Sequence, residues 1–262
     1  MPEPNFRFDD QADIYDERAG LGPSVGRTVA AAVVGAVGLR PGERIAEIGA
    51  GTGAIGLHLT ELAAGYIGLD LSRPMLVRFR RESAQPPALV ETDCNQTWPL
   101  ATAATAAVFA SRVVHLLDAA AVVREVLRVC RPGGRFVVGR VNRDEDGIKE
   151  RLRRQRQILL RQAGVAPRDG AEGTRRFVEQ CIAAGGTSLG RRTVAAWQGI
   201  VSPAEVLAGW APLSRMGSIT LDLPRRAAIL DALRGWAQQE YGDLDRPRPF
   251  GERYTIEVVR LP

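Results

Sequence analysis

The amino-acid sequence predicts an α/β fold, strands alternating with helices, on three observations. The first is the apolar run Ile45 to Ile48, interrupted by Glu47, which passes through the turn Gly49-Ala50-Gly51-Thr52-Gly53 into an amphipathic helix over residues 54–64. The second is another strand and helix directly after it. Residues 66–69 are apolar and end in Asp70, and Leu71-Ser72-Arg73-Pro74-Met75-Leu76 opens a helix with Ser72 as N-cap and Pro74 in the first turn. The third is Arg131-Pro132-Gly133-Gly134, a turn between a helix over residues 118–129 and an apolar strand over residues 135–140.

The remaining elements follow in order. Phe8, Ala12 and Tyr15, followed by Asp16, fall on one helical face. Residues 20–26 form a turn-rich break, and an Ala/Val helix over residues 25–37 leads to Leu39-Arg40-Pro41-Gly42, which punctuates the chain before the first strand. His58, more than one turn past the start of its helix, reads as structural. Residues 88–92 read as a third strand ending in Asp93-Cys94, and residues 103–110 as a fourth. Ser111-Arg112-Val113-Val114-His115-Leu116-Leu117 then leads to the helix capped by Asp118. Beyond Asn142, residues 148–162 form an Arg-rich helix with Ile148, Leu152 and Leu159 on one face, and glycine clusters at 164–173 and 185–190 break up the region. Ser202-Pro203-Ala204-Glu205 starts a helix, with serine as cap and proline at the first position. Residues 219–223 and 254–261 read as the last two strands, flanking a helix over residues 225–240.

At 262 residues the chain suffices for one large α/β domain or a core with an inserted cap. A hydrophobic fraction of 45% beside 25% charged residues is that of an ordinary globular protein with a core to bury. No run approaches the roughly 20 apolar residues that span a bilayer, and residues 1–10 are acidic and polar, unlike a signal peptide. Cys94, Cys130 and Cys181 are far apart, odd in number and without a C-x-x-C pair, which argues against structural disulfides or zinc and for a reduced, cytoplasmic protein. The net charge of +5 would suit an acidic partner, but Lys149 is the only lysine, and the arginine excess beside so much Ala, Gly and Pro reads as coding bias rather than a nucleic-acid surface.

Chemistry concentrates in residues 47–53. Three glycines allow positive φ and leave no Cβ between the main chain and a ligand, and a helix beginning near Gly53 would present unpaired N–H groups to it. Residues 51–56 also spell G-x-G-x-x-G, the dinucleotide fingerprint. Glu47 argues against that ligand: a carboxylate at the carboxyl end of a buried strand repels a pyrophosphate and suits an ammonium group. Asp70, about twenty residues past the first glycine, stands where a ribose diol is gripped, which a dinucleotide and S-adenosylmethionine share.

These residues resemble those of the class I S-adenosylmethionine-dependent methyltransferases, in the small-molecule branch called type 11 or UbiE-like. Carrying the resemblance are Glu47–Gly53 as E-x-G-x-G-x-G, residues 70–76 as D-x-S-x-x-M-L, Asp93 with the Trp98-Pro99-Leu100 that follows it, and the turn over residues 131–134. It covers residues 8–141 well and the rest poorly, and Thr105 and Ala106 stand where the family begins its fourth strand with an aspartate. It implies a Rossmann-like seven-stranded sheet of order 3-2-1-4-5-7-6, the last strand antiparallel, with helices on both faces and a helical lid insertion. The chain would be a single domain, with an N-terminal helical segment (1–40), a cofactor-binding core (41–141), a substrate lid (142–212) and closing strands (213–262).

For the site, the resemblance implies S-adenosylmethionine as cofactor and S-adenosylhomocysteine as product. Tyr15, Glu47, Gly49, Ala50, Gly51, Gly53, Asp70, Leu71, Met75, Asp93, Cys94 and Ser111 would surround it, with no metal. Met75 either lies against the adenine or joins the core, and Asp93 either takes the adenine amino group or is a loop aspartate. The segment over residues 111–117 would face the transferred methyl, so that His115 is either a base or a packing residue and Arg112 is the candidate anchor for an acceptor carboxylate. Trp197 lines the substrate pocket or the core. The implied reaction is in-line methyl transfer to a small molecule or natural-product intermediate. A non-methylating reaction on the same cofactor, and a binding protein without turnover, stay open as alternatives.

Overall fold

The structure, a computed structural model, describes residue 9 and residues 21–63, 65–165, 170–210, 215–216 and 219–262. Phe8, Ala12, Tyr15 and Asp16, and with them the expected N-terminal helix, lie outside the described residues. In chain order the strands are Ile45–Ile48 (β1), Tyr66–Asp70 (β2), Ala88–Glu91 (β3), Thr105–Ser111 (β4), Cys130–Arg143 (β5), Thr187–Val201 (β6), Arg215–Met216 (β7), Ile219–Thr220 (β8) and Arg248–Arg260 (β9). The helices are Pro23–Val37 (α1), Gly56–Leu62 (α2), Arg73–Glu82 (α3), Ala119–Val129 (α4), Ile148–Gln162 (α5), Gly170–Ala183 (α6), Pro203–Ala208 (α7) and Leu223–Tyr241 (α8).

The main sheet has seven strands in the order β3-β2-β1-β4-β5-β9-β6, which is 3-2-1-4-5-7-6 with β6 and β9 as its sixth and seventh members. The β1–β2, β1–β4, β2–β3 and β4–β5 pairings are parallel. Direction reverses at β9: the Leu261 N–H donates to Gly134 O (2.9 Å) and the Gly133 N–H to Pro262 O (3.0 Å), so the end of β9 lies against the start of β5. The Rossmann-like architecture expected from the sequence is therefore present.

The apolar runs form central strands because both faces are covered: all four residues of β1 and six of the seven in β4 are buried. One face carries Ala46, Ile48, Leu69, Val108, Ala110, Phe136 and Val138, packed with Val122, Val126 and Val129 of α4 and with Phe177, Val178 and Cys181 of α6. Asp118 caps α4 as expected, its Oδ1 accepting the Ala121 N–H at 2.7 Å. Helix α1 buries Gly26, Val29, Ala30, Val33 and Val37, the spacing of one helical stripe. Gly26 permits a close crossing with α2: a Cβ there would lie 2.3 Å from Ala54 O and 3.1 Å from His58 Cδ2, so His58 is a packing residue.

The chain divides into two compact units. The first comprises residues 1–140, 170–195 and 254–262, and the second residues 141–169 and 196–253. Within the second, Ile148, Leu152, Leu207, Leu233 and Ala237 make one apolar core and Leu160, Val165, Leu221 and Ile229 another. There Ser202 and Glu205 form the full capping box that starts α7.

Four expectations need correction. The sixth strand is Thr187–Val201, not residues 219–223; Ile219–Thr220 pairs only with β7 in a separate small sheet. As an edge strand β6 is largely exposed, so it lacks the apolar run by which inner strands are recognised. The region over residues 142–212, expected to be helical, therefore contributes a strand to the main sheet. Second, the glycine cluster near residue 170 does not break the chain: Gly170 and Gly173 fall in the first turn of α6, which buries Thr174, Phe177, Val178 and Cys181 on one stripe. Third, α2 begins at Gly56, two residues later than the expected start at residue 54. Fourth, Ser72 precedes α3 but its side chain makes no capping bond. Among the described residues no helix is long and apolar enough to cross a membrane.

Candidate cofactor site

The glycine turn after β1 is closed by the strand beside it. Gly49, Gly51 and Gly53 have φ of 67°, 55° and 89°, the left-handed region that side chains disfavour. The N–H groups of Gly49 and Ala50 both donate to Leu69 O (2.8 and 3.1 Å), that of Gly53 to Ala50 O (3.1 Å), and that of Gly51 to Asp70 Oδ2 (2.8 Å). Of the donors expected to be free at a helix start near Gly53, that of Gly53 itself is consumed by the fold, as are those of the turn before it. What the turn leaves exposed to a ligand is Cβ-free backbone at Gly51, where an added Cβ would meet nothing nearer than Gly49 O at 4.0 Å. The neighbouring glycines serve packing instead. A Cβ at Gly49 would meet Val113 at 2.5 Å, and one at Gly53 would meet the Phe79 ring at 2.7 Å.

Asp70 fastens this arrangement from the end of β2. Its Oδ1 accepts the Ser72 N–H at 2.8 Å while Oδ2 holds Gly51. Burial raises its pKa above the usual aspartate value, the backbone N–H groups of Ser72, Gly51 and Leu71 oppose that shift, and the charge of Asp9 adds to it. Ser72 is 2% exposed and its hydroxyl has no hydrogen-bond partner. Met75 is 2% exposed and buried on α3 with Leu76 and Phe79. After β3, Asp93 Oδ1 accepts the Asn95 N–H at 3.0 Å, and Cys94 is buried with its carbonyl accepting from Trp98 Nε1 at 3.0 Å. Burial pushes the Cys94 thiol up to about 12, which leaves it un-ionised at neutral pH.

Glu47, the acid out of place in β1, is 2% exposed and accepts a hydrogen bond from the Tyr66 hydroxyl at 2.6 Å. The parallel register explains the reach. Ile45 pairs with Tyr66 and Glu47 with Gly68, so the ring lies one step behind the carboxylate and must pass over Gly68, where a Cβ would be 3.0 Å from the hydroxyl. Burial lifts the Glu47 carboxyl to about 8, against the lowering effect of the Tyr66 bond; Asp70 pushes it further up and Arg112 pulls it down.

The loop after β4 completes the group. Ser111 Oγ and Tyr254 Oη share a hydrogen bond of 2.5 Å, with Tyr254 fully buried. Here too a glycine makes room, since a Cβ at Gly139 would fall 2.2 Å from the hydroxyl. Arg112 adopts φ 57°, unusual for a side-chain-bearing residue, and its N–H donates to Gly139 O at 3.1 Å. Its charge bears on both Glu47 and Tyr254. His115 lies on the single 3-10 turn Val114–Leu116, with its main chain against Gly173 of α6, where a Cβ would be 3.3 Å from His115 Cα. Trp197 belongs to the second unit, where its Nε1 donates to Glu252 Oε2 at 3.2 Å.

Glu47, Gly49–Gly53, Asp70, Ser111 and Arg112 are thus gathered at the carboxyl ends of β1, β2 and β4. Tyr66 and Tyr254 escaped the sequence reading as site residues, and Ser72 entered it only as a helix cap and a motif position. Only Gly68 opposite Glu47 and Gly139 opposite Ser111 hinted at large neighbours, and neither hint is visible without the register. Tyr254→Phe is expected to leave Ser111 without its partner and to lower stability by about 1 kcal/mol, read as a lower urea midpoint at unchanged slope.

Sheet order, glycine turn and acid-ended second strand together define a Rossmann-like architecture with its candidate site at the carboxyl ends of the first two strands. Residues 46–138 match a family model described as a methyltransferase domain. A demethylmenaquinone methyltransferase of Beutenbergia cavernae is 35% identical over 133 residues, 50% of this chain and 55% of that protein. An uncharacterised methyltransferase of Mycobacterium tuberculosis is 34% identical over 102 residues, 39% of this chain and 41% of the relative. The chain therefore spans about half the length of the curated relatives it matches. Among solved structures, geranyl diphosphate C-methyltransferase of Streptomyces coelicolor, in complex with Mg2+, geranyl diphosphate and S-adenosylhomocysteine, superposes with a TM-score of 0.51 at 13% identity, covering 89% of this chain and 77% of that one. A candidate type II methyltransferase of Anaeromyxobacter dehalogenans superposes with 0.61 at 17% identity, covering 90% and 97%. These likenesses establish the fold.

Proposed function

We propose that this protein transfers a methyl group from S-adenosylmethionine to a small-molecule acceptor. The observation that carries the reading is the state of the glycine turn. Its N–H groups at residues 49, 50, 51 and 53 are spent inside the fold, and acids at positions 47 and 70 stand beside it. A pyrophosphate needs those donors and would oppose ionisation of those acids. A cation-bearing nucleoside needs neither donor and is favoured by both acids, and the family match over residues 46–138 supports the same ligand.

The residues fit the group. The half-buried backbone of Gly51 gives a Cβ-free floor, Glu47 stands in the strand that leads into the turn, and Asp70 keeps lone pairs for a ribose diol after accepting two N–H groups. The buried, unpartnered Ser72 hydroxyl beside Asp70 is a further polar group for the nucleoside. When bound, S-adenosylmethionine supplies the activated methyl on its sulfonium. The chain's own task is then alignment of an acceptor, worth roughly 7 to 11 kcal/mol of barrier when the geometry is right. In this proposal Arg112, held in its left-handed conformation, orients an anionic acceptor, and His115 serves as base where the acceptor must lose a proton. Trp197, the lid role of residues 142–212 and a cytoplasmic location are parts of the same proposal. The three free, buried cysteines agree with a reducing compartment.

Calorimetric titration with S-adenosylmethionine, S-adenosylhomocysteine and NADH tests it. Saturable binding of the two sulfur ligands without binding of NADH is expected; no binding of either sulfur ligand would sink the reading.

A further inference from the structure

Glu47 is more than an acid near a ligand. It is 2% exposed, on a strand covered on both faces, and its hydrogen-bond partner is the phenol of a second buried residue, Tyr66, which is 7% exposed. The Tyr66 ring is held against Phe79, with centroids 5.8 Å apart. Its hydroxyl fits only because Gly56 and Gly68 carry no side chains, a Cβ at either lying 2.5 or 3.0 Å from it. Two strands and a helix are thus shaped to deliver one hydroxyl to one carboxyl in the strand that leads into the glycine turn.

We propose that Tyr66 is a positioning residue, and that it holds Glu47 as a buried acid whose proton is released when a cationic ligand binds above the turn. The inference rests on the S-adenosylmethionine reading of the site. The groups facing Glu47 are Tyr66 and Asp70 from β2, Arg112 from the loop after β4 and Tyr254 from β9, while α2 presents the uncharged Gly56. With burial as the dominant influence, the carboxyl titrates at about 8. Below that pH it is protonated in the free protein, and the Glu47 O–H bond must break as a sulfonium or ammonium arrives. The carboxylate keeps the electron pair, the proton passes to the buffer, and the Tyr66 hydroxyl donates to the anion left behind. A phenol does this without adding a charge, so the free protein is spared a second buried ion.

The sign follows from linkage. Release is expected below about pH 8, where the free carboxyl is neutral, and vanishes above it, where Glu47 is already ionised. The same proton affects folding. The stability it confers is full below the ordinary glutamate range and is lost as pH rises to about 8.

The test is calorimetry with S-adenosylhomocysteine at pH 6.5, 7.5 and 9, in buffers of small and large ionisation enthalpy. Wild-type protein is expected to release about one proton per ligand at the lowest pH and close to none at the highest. Glu47→Gln should bind with no buffer dependence. Tyr66→Phe should weaken binding about tenfold, the equivalent of one hydrogen bond to a charged group, and move the release to higher pH, a shift that loss of packing alone would not produce. Wild-type binding with the same heat in every buffer would overturn the inference while leaving the cofactor reading intact. Absence of binding at all three pH values would overturn both.

Discussion

Asp70→Ala is expected to weaken S-adenosylhomocysteine binding by at least about 100-fold, because in the proposed site one carboxylate serves both the cofactor and the turn that would receive it. Each Asp70 oxygen accepts a backbone N–H at 2.8 Å, one from Gly51 and one from Ser72. Hydrogen bonds to a charged group are worth about 1.5 to 3 kcal/mol each, and deleting the acceptor leaves two backbone donors in need of water. Gly51, whose Cβ-free surface is the floor of the proposed site, loses its tether while its left-handed conformation remains. Asp70→Asn keeps one acceptor oxygen and replaces the other with a donor, so it should retain one of the two bonds and lose about tenfold. Titration of both variants, beside a thermal melt to confirm folding, separates the cases. Folded Asp70→Ala protein with wild-type affinity would mean that the cofactor binds elsewhere.

The sequence exposes such a residue for a physical reason. Strands covered on both faces must be nearly continuous apolar runs, so Glu47 within β1 and Asp70 at the end of β2 stand out as exceptions that packing does not explain. The inner strands and the helices between them were legible on the same ground. Beyond residue 142 that ground disappears. β6 is an exposed edge whose residues need not be apolar, and α6 opens with two glycines that read as a break until Phe177 and Cys181 are seen packed in the main core. The polar residues gathered in the candidate site were visible one by one but not pair by pair. Glu47 was identifiable as an acid out of place in an apolar strand, yet its partner, Tyr66, depends on the β1–β2 register and on the room above Gly68. The same holds for Ser111, whose bond to Tyr254 joins residues 143 positions apart. Local pattern gives the identity of a polar residue in a strand, whereas its partner is a property of how strands are aligned.

The three glycines of the turn carry the same sequence signal and are expected to fail differently, which makes them the sharpest check on where the ligand lies. Gly53→Ala should cost several kcal/mol of stability: its φ of 89° is hostile to a side chain, and its new Cβ would lie 2.7 Å from Phe79, a fully buried ring packed on Tyr66 that cannot move aside. Gly51→Ala meets no atom of the protein nearer than 4.0 Å and has a φ of 55° that an alanine tolerates, so it should cost only about 1 to 2 kcal/mol and stay folded. Its methyl nevertheless projects into the space assigned to the cofactor, and binding should fall by at least about tenfold even in protein whose melt is nearly unchanged. Urea unfolding and S-adenosylhomocysteine titration on the two variants give four numbers. Lost stability at Gly53 with lost affinity at Gly51 places the ligand over the middle of the turn. A folded Gly51→Ala protein that binds as tightly as wild type would show that the open face of this turn is not the ligand's floor, and would move the site away from the fingerprint that first suggested it.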